Sequence, residues 1–120
     1  MKTNQKLSPW DVYRLLRNFG DIYILKLGAL YKIGRSKYVD LRLSKLRLEV
    51  DKDIELICSY EVMNYIEVEQ DLHREFSDLR VRGEWFRLSE KDLTRIQQTL
   101  LQHQQKSREI EKLVNEATSL

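Results

Sequence analysis

Two tyrosines, Tyr23 and Tyr31, stand with seven residues between them, followed by Arg42 and then by Glu69 and His73. Each residue type offers a definite chemistry. A phenol has an unperturbed pKa of ~10, so it orients or deprotonates an attacking water only where neighbouring cations lower that value. Lys32, Arg35 and Arg42 are such neighbours by sequence. The alternative for both tyrosines is ordinary strand packing, ring buried and hydroxyl wet. Arg42 carries a planar fork that suits a phosphate, or is simply a solvated charge. Glu69 and His73 lie at i, i+4, the spacing of a helix-surface pair as well as of two groups sharing a site. From Lys32 to Arg47 the cations Lys32, Arg35, Lys37, Arg42, Lys45 and Arg47 face only Asp40, which makes one face electropositive.

Those residues need elements to hold them. Ile22 to Leu27 and Leu30 to Ile33 are β-type runs around Gly28-Ala29, too apolar for simple alternation, which predicts a sheet covered on both faces. Val39, Leu43, Leu46 and Val50 recur at helical spacing and leave Arg42, Lys45 and Glu49 on the adjoining stripe. Ile54, Leu56, Cys58, Tyr60 and Val62 alternate as in a third strand. Tyr65, Val68, Leu72 and Phe76 return to helical spacing, with Glu69 and His73 along the edge of that stripe. Arg80 to Leu88 reads as a loop and short strand, and Ser89 with Asp92 opens a last helix running from about Glu90 to near Thr118. At the other end, Ser8-Pro9 caps a short helix with an inward stripe of Val12, Leu15, Leu16 and Phe19, stopped by Gly20.

The words Asp21-Ile22-Tyr23 and Tyr31-Lys32-Ile33-Gly34, with Arg42 eight residues past Gly34, resemble the hairpin and first helix of the GIY-YIG nuclease family. Ile66-Glu67-Val68-Glu69 resembles the helix that supplies its metal-holding glutamate, and Leu72-His73 followed by Gly83-Glu84-Trp85-Phe86 resembles a phage-associated subgroup. The resemblance covers about Asp21 to Leu93. It implies a metal-dependent DNA endonuclease that hydrolyses phosphodiester bonds by direct attack of water. Tyr23 and Tyr31 would share one site and position the water with help from His73, Arg42 would stabilise the phosphate, and Glu69 would hold Mg²⁺ or Mn²⁺, with Glu84 as the alternative ligand. Lys32, Arg35, Lys37 and Lys45 would contact the nucleic-acid backbone. Asp21 stands where the family name has glycine, and the last strand lacks the asparagine that many members carry.

The implied fold is α+β, a small three-stranded antiparallel sheet flanked by helices with a long C-terminal helix. It divides into an N-terminal amphipathic helix (1–20), a nuclease-like domain (21–93) and a helical extension (94–120). A shared tyrosine site requires an odd hairpin loop, Lys26-Leu27-Gly28 with Gly28 left-handed, or an equivalent bulge, setting Tyr23 across from Tyr31; a two-residue Gly28-Ala29 turn would send them to opposite faces. Leu93, Ile96, Leu100, Ile110, Val114 and Ala117 fit a heptad frame, predicting a helix that extends past the domain and self-associates weakly into a homodimer.

Composition sets the limits. The 120 residues, 14.5 kDa with net charge +2, suit one modest core. The single Cys58 precludes an internal disulfide, and with only His73 and His103 no Cys/His zinc site of usual spacing forms, so any metal is held by oxygen. No apolar run approaches the ~20 residues of a membrane span, and the basic start of the chain has no apolar stretch behind it, which predicts a soluble cytoplasmic protein with no membrane partner. Two other classes stay open: a catalytically silent nucleic-acid-binding module, and a protein-interaction protein on the same scaffold.

Overall fold

The computed structural model describes residues 8–118; the start of the chain, 1–7, and the side chains of Leu15 and Leu16 expected on the inward stripe lie outside what is described. Helix α1 (Pro9–Arg17) opens on a capping box in which the Asp11 amide donates to the Ser8 hydroxyl at 3.1 Å and the Ser8 amide to the Asp11 carboxylate at 3.1 Å. Strands β1 (Phe19–Leu27) and β2 (Leu30–Ser36) follow, then α2 (Val39–Glu49), β3 (Glu55–Met63) and α3 (Tyr65–Glu75). A short 3-10 turn leads to β4 (Arg80–Arg82) and β5 (Trp85–Phe86), and α4 (Glu90–Thr118) closes the chain. Gly20, expected as a helix stop, lies inside β1, where the Tyr65 ring packs so closely that a Cβ would meet its Cε2 at 2.6 Å.

The fold is α+β, but its antiparallel sheet has five strands in the order β3-β1-β2-β5-β4 rather than three. The two extra strands come from the segment read as a loop and one short strand. Gly83, at φ +57°, lets Arg80–Arg82 turn back on Trp85–Phe86, a pair too brief to show alternation in sequence.

Both faces of the sheet are covered, as the continuous apolar runs demand. Ile22, Ile24, Ile33, Val62 and Phe86 form one core with Val68 and Leu72 of α3 and Ile96 and Leu100 of α4. Tyr23 and Leu25 form the other with Val39, Leu43 and Leu46 of α2 and Ile54. The alternating set of β3 does not keep to one face. A register shift opposite Ile24 and Leu25 pairs Ile24 with Cys58 but Leu25 with Leu56, so Cys58, Tyr60 and Val62 belong to the first core and Ile54 to the second.

The hairpin takes the even register. Leu27 pairs with Leu30 across Gly28-Ala29, with Gly28 at φ +60° supplying the first position of a two-residue turn. Tyr23 therefore pairs with Gly34, and Tyr31 with Lys26. The odd loop fails for a physical reason: it would trade the faces of β2 against β1, carrying Lys32 into the apolar core beneath α3 and α4 and expelling Ile33, which is fully buried there.

The long last helix does not project. Part of its seam is consumed within the chain, with Ile96 and Leu100 fully buried and Ser107 and Val114 nearly so. Ser107 interrupts the apolar frame because it meets the end of β3, accepting from the Met63 amide at 2.9 Å and donating to the His103 carbonyl at 2.6 Å. Part of the seam that predicted a homodimer, Ile96, Leu100 and Val114, is thus buried within the chain. Among the described residues no helix is long and apolar enough to cross a membrane.

Candidate active site at the edge of strand β2

Strand β5 covers only the first part of β2, pairing Tyr31 with Phe86 and Lys32 with Trp85. Where β5 ends, other groups take over the β2 backbone. The Ile33 amide donates to the Glu84 carbonyl at 3.1 Å, and His73 on α3 bonds the Ile33 carbonyl through Nε2 at 2.8 Å. A carbonyl only accepts, so Nε2 of His73 carries the proton and is committed to holding the strand. Through that nitrogen His73 is a positioning residue for strand β2.

The next residue, Gly34, is the gap through which Tyr23 reaches the edge. A Cβ at Gly34 would stand 2.5 Å from the Tyr23 hydroxyl, so only glycine lets the phenol lie over β2 at this point. Arg42, in the first turns of α2, lies near enough for its charge to act on that hydroxyl, and the charges of Glu84 and Glu69 reach it as well. From the other face, Glu69 on α3 bonds Arg35 of β2 through Oε1 at 2.6 Å. Glu84, at the head of β5, bonds Lys32 through Oε1 at 2.7 Å. Tyr23, Lys32, Arg35, Arg42, Glu69, His73 and Glu84 thus converge on the stretch from Lys32 to Arg35.

Tyr31 is not among them. It packs into the core beneath α3 and α4, with the Lys26 ammonium 5.7 Å from its ring centre, so the shared tyrosine site is corrected. Lys32 occupies the β2 position on the Tyr23 side, a consequence of the period-2 strand that the register alone decides. It is only 7% exposed, so the expected contact with a DNA backbone is replaced by a charge built into the site. Lys37, also expected on DNA, donates to the Arg17 and Phe19 carbonyls at 2.7 Å each and ties the end of α1 to β1. Arg35 is committed to Glu69. Arg35 and Lys37 are exposed but engaged in these bonds, and Lys45 is exposed and loosely paired with Glu49 at 3.9 Å.

Burial pushes the Tyr23 phenol above its ordinary value of 10.0, with the Arg42 charge pulling the other way and Glu84 and Glu69 reinforcing the rise. Tyr23 is therefore a neutral hydroxyl at pH 7, suited to orienting a water rather than to deprotonating it. Glu69 is 3% exposed, and burial, with the Glu84 charge behind it, raises its carboxyl above 4.5 against the pull of His73 and Arg35. Its Oε2 is buried without a hydrogen-bond partner. An orphaned carboxylate oxygen at this depth costs free energy unless a proton or a cation meets it, and that atom fits a hard divalent ion. Among the described residues no group of three or more His, Cys, Asp and Glu converges as a cage. The donor set fits one protein carboxylate with water and phosphate completing the shell.

The family model of the T5orf172 domain matches residues 20–101, from β1 into α4, a span that contains every residue of this site. No curated protein and no solved structure matches the chain.

Proposed function

The chain belongs to the T5orf172 domain family, and from that premise we propose that it is a metal-dependent DNA endonuclease of the GIY-YIG type, hydrolysing phosphodiester bonds. The observation that carries this reading is the unpartnered Oε2 of Glu69, buried within reach of the charges of Glu84 and His73 and of the Tyr23–Arg42 pair. In the hydrolysis a water oxygen bonds to phosphorus, one P–O bond breaks, and the leaving oxygen takes a proton. Arg42, whose charge acts on the Tyr23 hydroxyl, presents its fork to the scissile phosphate. Tyr23 orients the attacking water with its protonated hydroxyl. Lys32 supplies a buried positive charge on the Tyr23 side of β2, held in place by Glu84. His73 keeps the strand edge, and with it Gly34, in register. Mg²⁺ or Mn²⁺ bound at Glu69 Oε2, with Glu84 as the neighbouring carboxylate, would supply charge to the developing phosphorane oxygens.

Supercoiled, linear and single-stranded DNA incubated with Mg²⁺, Mn²⁺ or chelator tests the proposal. Wild-type protein should cut at least one form only with metal. Glu69→Gln should lose cleavage by roughly 10²-fold or more and retain DNA binding, since a neutral amide replaces the anionic ligand. Arg42→Lys should lose rate to a similar extent, because a point charge does not reproduce the fork. Binding to all three forms without metal-dependent cleavage would replace the nuclease with a silent binding module.

A further inference from the structure

A second cluster lies on the outer side of α3, beyond His73. Gln70, His73, Arg74 and Ser77 from α3 and the turn after it, with Arg80 from β4, line a cleft of about 390 Å³. Each lining side chain carries a hydrogen-bond donor, three of the five are cationic or can become so, and none is a carboxylate. The spacing explains why they meet: residues 70, 74 and 77 recur at i, i+4, i+7, and the tight turn after Phe76 returns the chain so that Arg80 closes the far wall.

We propose that this cleft binds a phosphate group, and, on the nuclease reading above, that this phosphate belongs to the DNA backbone flanking the one that is cut. The position fits that role. The Phe86 ring underlies the wall, with the His73 ring edge-on at 5.1 Å and the Arg80 guanidinium 5.3 Å above its centre, which holds both groups at set distances from one plane. His73 has its Nε2 on the Ile33 carbonyl, so an anion in the cleft sits one side chain away from the strand residue that precedes Gly34.

The neighbouring charges favour the anion. Asp71 is paired with Arg74 on the exposed helix surface, and Glu75 faces away toward Arg95 at 2.5 Å. With Arg74 balanced by Asp71, the carbonyl end of α3 contributes a partial charge of about −0.5, which the Arg80 guanidinium outweighs. Arg80 is paired with no carboxylate among the described residues, and its contact is the Phe86 ring.

The chain contains only two histidines, which makes the test direct. Imidazole NMR signals of His73 and His103 are followed while inorganic phosphate, and separately a short DNA duplex or single strand, is added to the full chain without metal. The expected result is a saturable shift of His73 alone, with DNA competing with free phosphate. A His73 shift with DNA but not with phosphate, lost in Gln70→Glu and Ser77→Asp, also supports the cleft and assigns it to polynucleotide backbone; the same shift retained in both variants overturns it. No shift of His73 with either, or equal shifts of both histidines, overturns it. Gln70→Glu and Ser77→Asp, exposed positions that keep the fold, should each abolish the His73 shift. They should also reduce the slope of log affinity against log salt by roughly 1, the value for one lost phosphate contact. Unchanged slope and affinity in both variants would equally overturn the proposal. The two readings fail separately. A His73 shift without any cleavage leaves the cleft and removes the nuclease, whereas cleavage with an unmoved His73 leaves the nuclease and removes the cleft.

Discussion

Gly34→Ala adds one methyl group at the point where Tyr23 passes over β2, and the structure states what that group must displace. The new Cβ would lie 2.5 Å from the Tyr23 hydroxyl, whereas ordinary contact begins near 3.4 Å, so phenol and strand must separate by about 0.9 Å. Tyr23 is 2% exposed and packed among Leu25, Val39 and Leu43, so the ring has no free direction. Strand β2 is fixed by the His73 bond and by β1. The overpacking should cost roughly 1–3 kcal/mol, or about 4–12 °C in Tm for a domain of this size. A misplacement near 1 Å at a reacting group costs on the order of 10²-fold in rate. Gly20→Ala makes the control, because it imposes the same insult on the neighbouring strand β1 but against Tyr65, whose Cε2 the new Cβ would meet at 2.6 Å. Both variants should lose comparable stability by thermal unfolding. Only Gly34→Ala should lose cleavage, assayed at least 15 °C below either midpoint on the DNA form that wild-type protein cuts best, about that margin being enough to keep both folded. If Gly34→Ala cleaves at the wild-type rate, or if Gly20→Ala loses as much activity as Gly34→Ala, the placement of Tyr23 at the β2 edge is not what the reaction depends on.

Glu69 makes stability depend on pH in a stated direction. Its folded pKa is raised above 4.5 by burial, then by Glu84, so the stability it contributes is full below that value and is lost as pH rises through the higher folded pKa. Glu69→Gln should therefore melt at or above wild type at pH 8 and lose that advantage by pH 4; the same difference at both pH values would sink the assignment. Arg35→Ala removes the cation that occupies Glu69 Oε1, so Mn²⁺ binding measured by calorimetry at pH 8 should tighten by roughly 10–100-fold, the worth of one charged hydrogen bond. Weaker metal binding in this variant would mean that Arg35 organises the ligand rather than competing for it. Lys32→Met keeps length and removes the buried charge. With Glu84 half-exposed and able to hydrate, Tm should change little while cleavage falls by roughly 10²-fold, a split that a merely structural lysine would not produce.

Much of the fold follows from local pattern. The capping box at Ser8, the helical stripes through Leu43 and Leu72, and the apolar runs of the hairpin each state a period and a buried face, and those the chain obeys. Arg42, Glu69 and Glu84 were legible as candidate site residues because helix position and motif spacing place them independently of strand register. Register is where local pattern ends. Tyr31 and Lys32 are adjacent, and both types are at home on a strand, so nothing in their own neighbourhood decides which one joins Tyr23. The Gly28-Ala29 turn and the need to bury Ile33 under α3 decide it, and these are contacts between segments far apart in sequence. The same holds for Lys37 and Arg35, whose charges suggest DNA but are engaged by the end of α1 and by Glu69 of α3. It holds also for the α4 seam, since a heptad frame records that a helix buries one face without recording against what; here it is β3 and the sheet face that α4 covers together with α3. Residue type specifies the chemistry a side chain can do, and the register and packing of distant segments specify which side chains do it together.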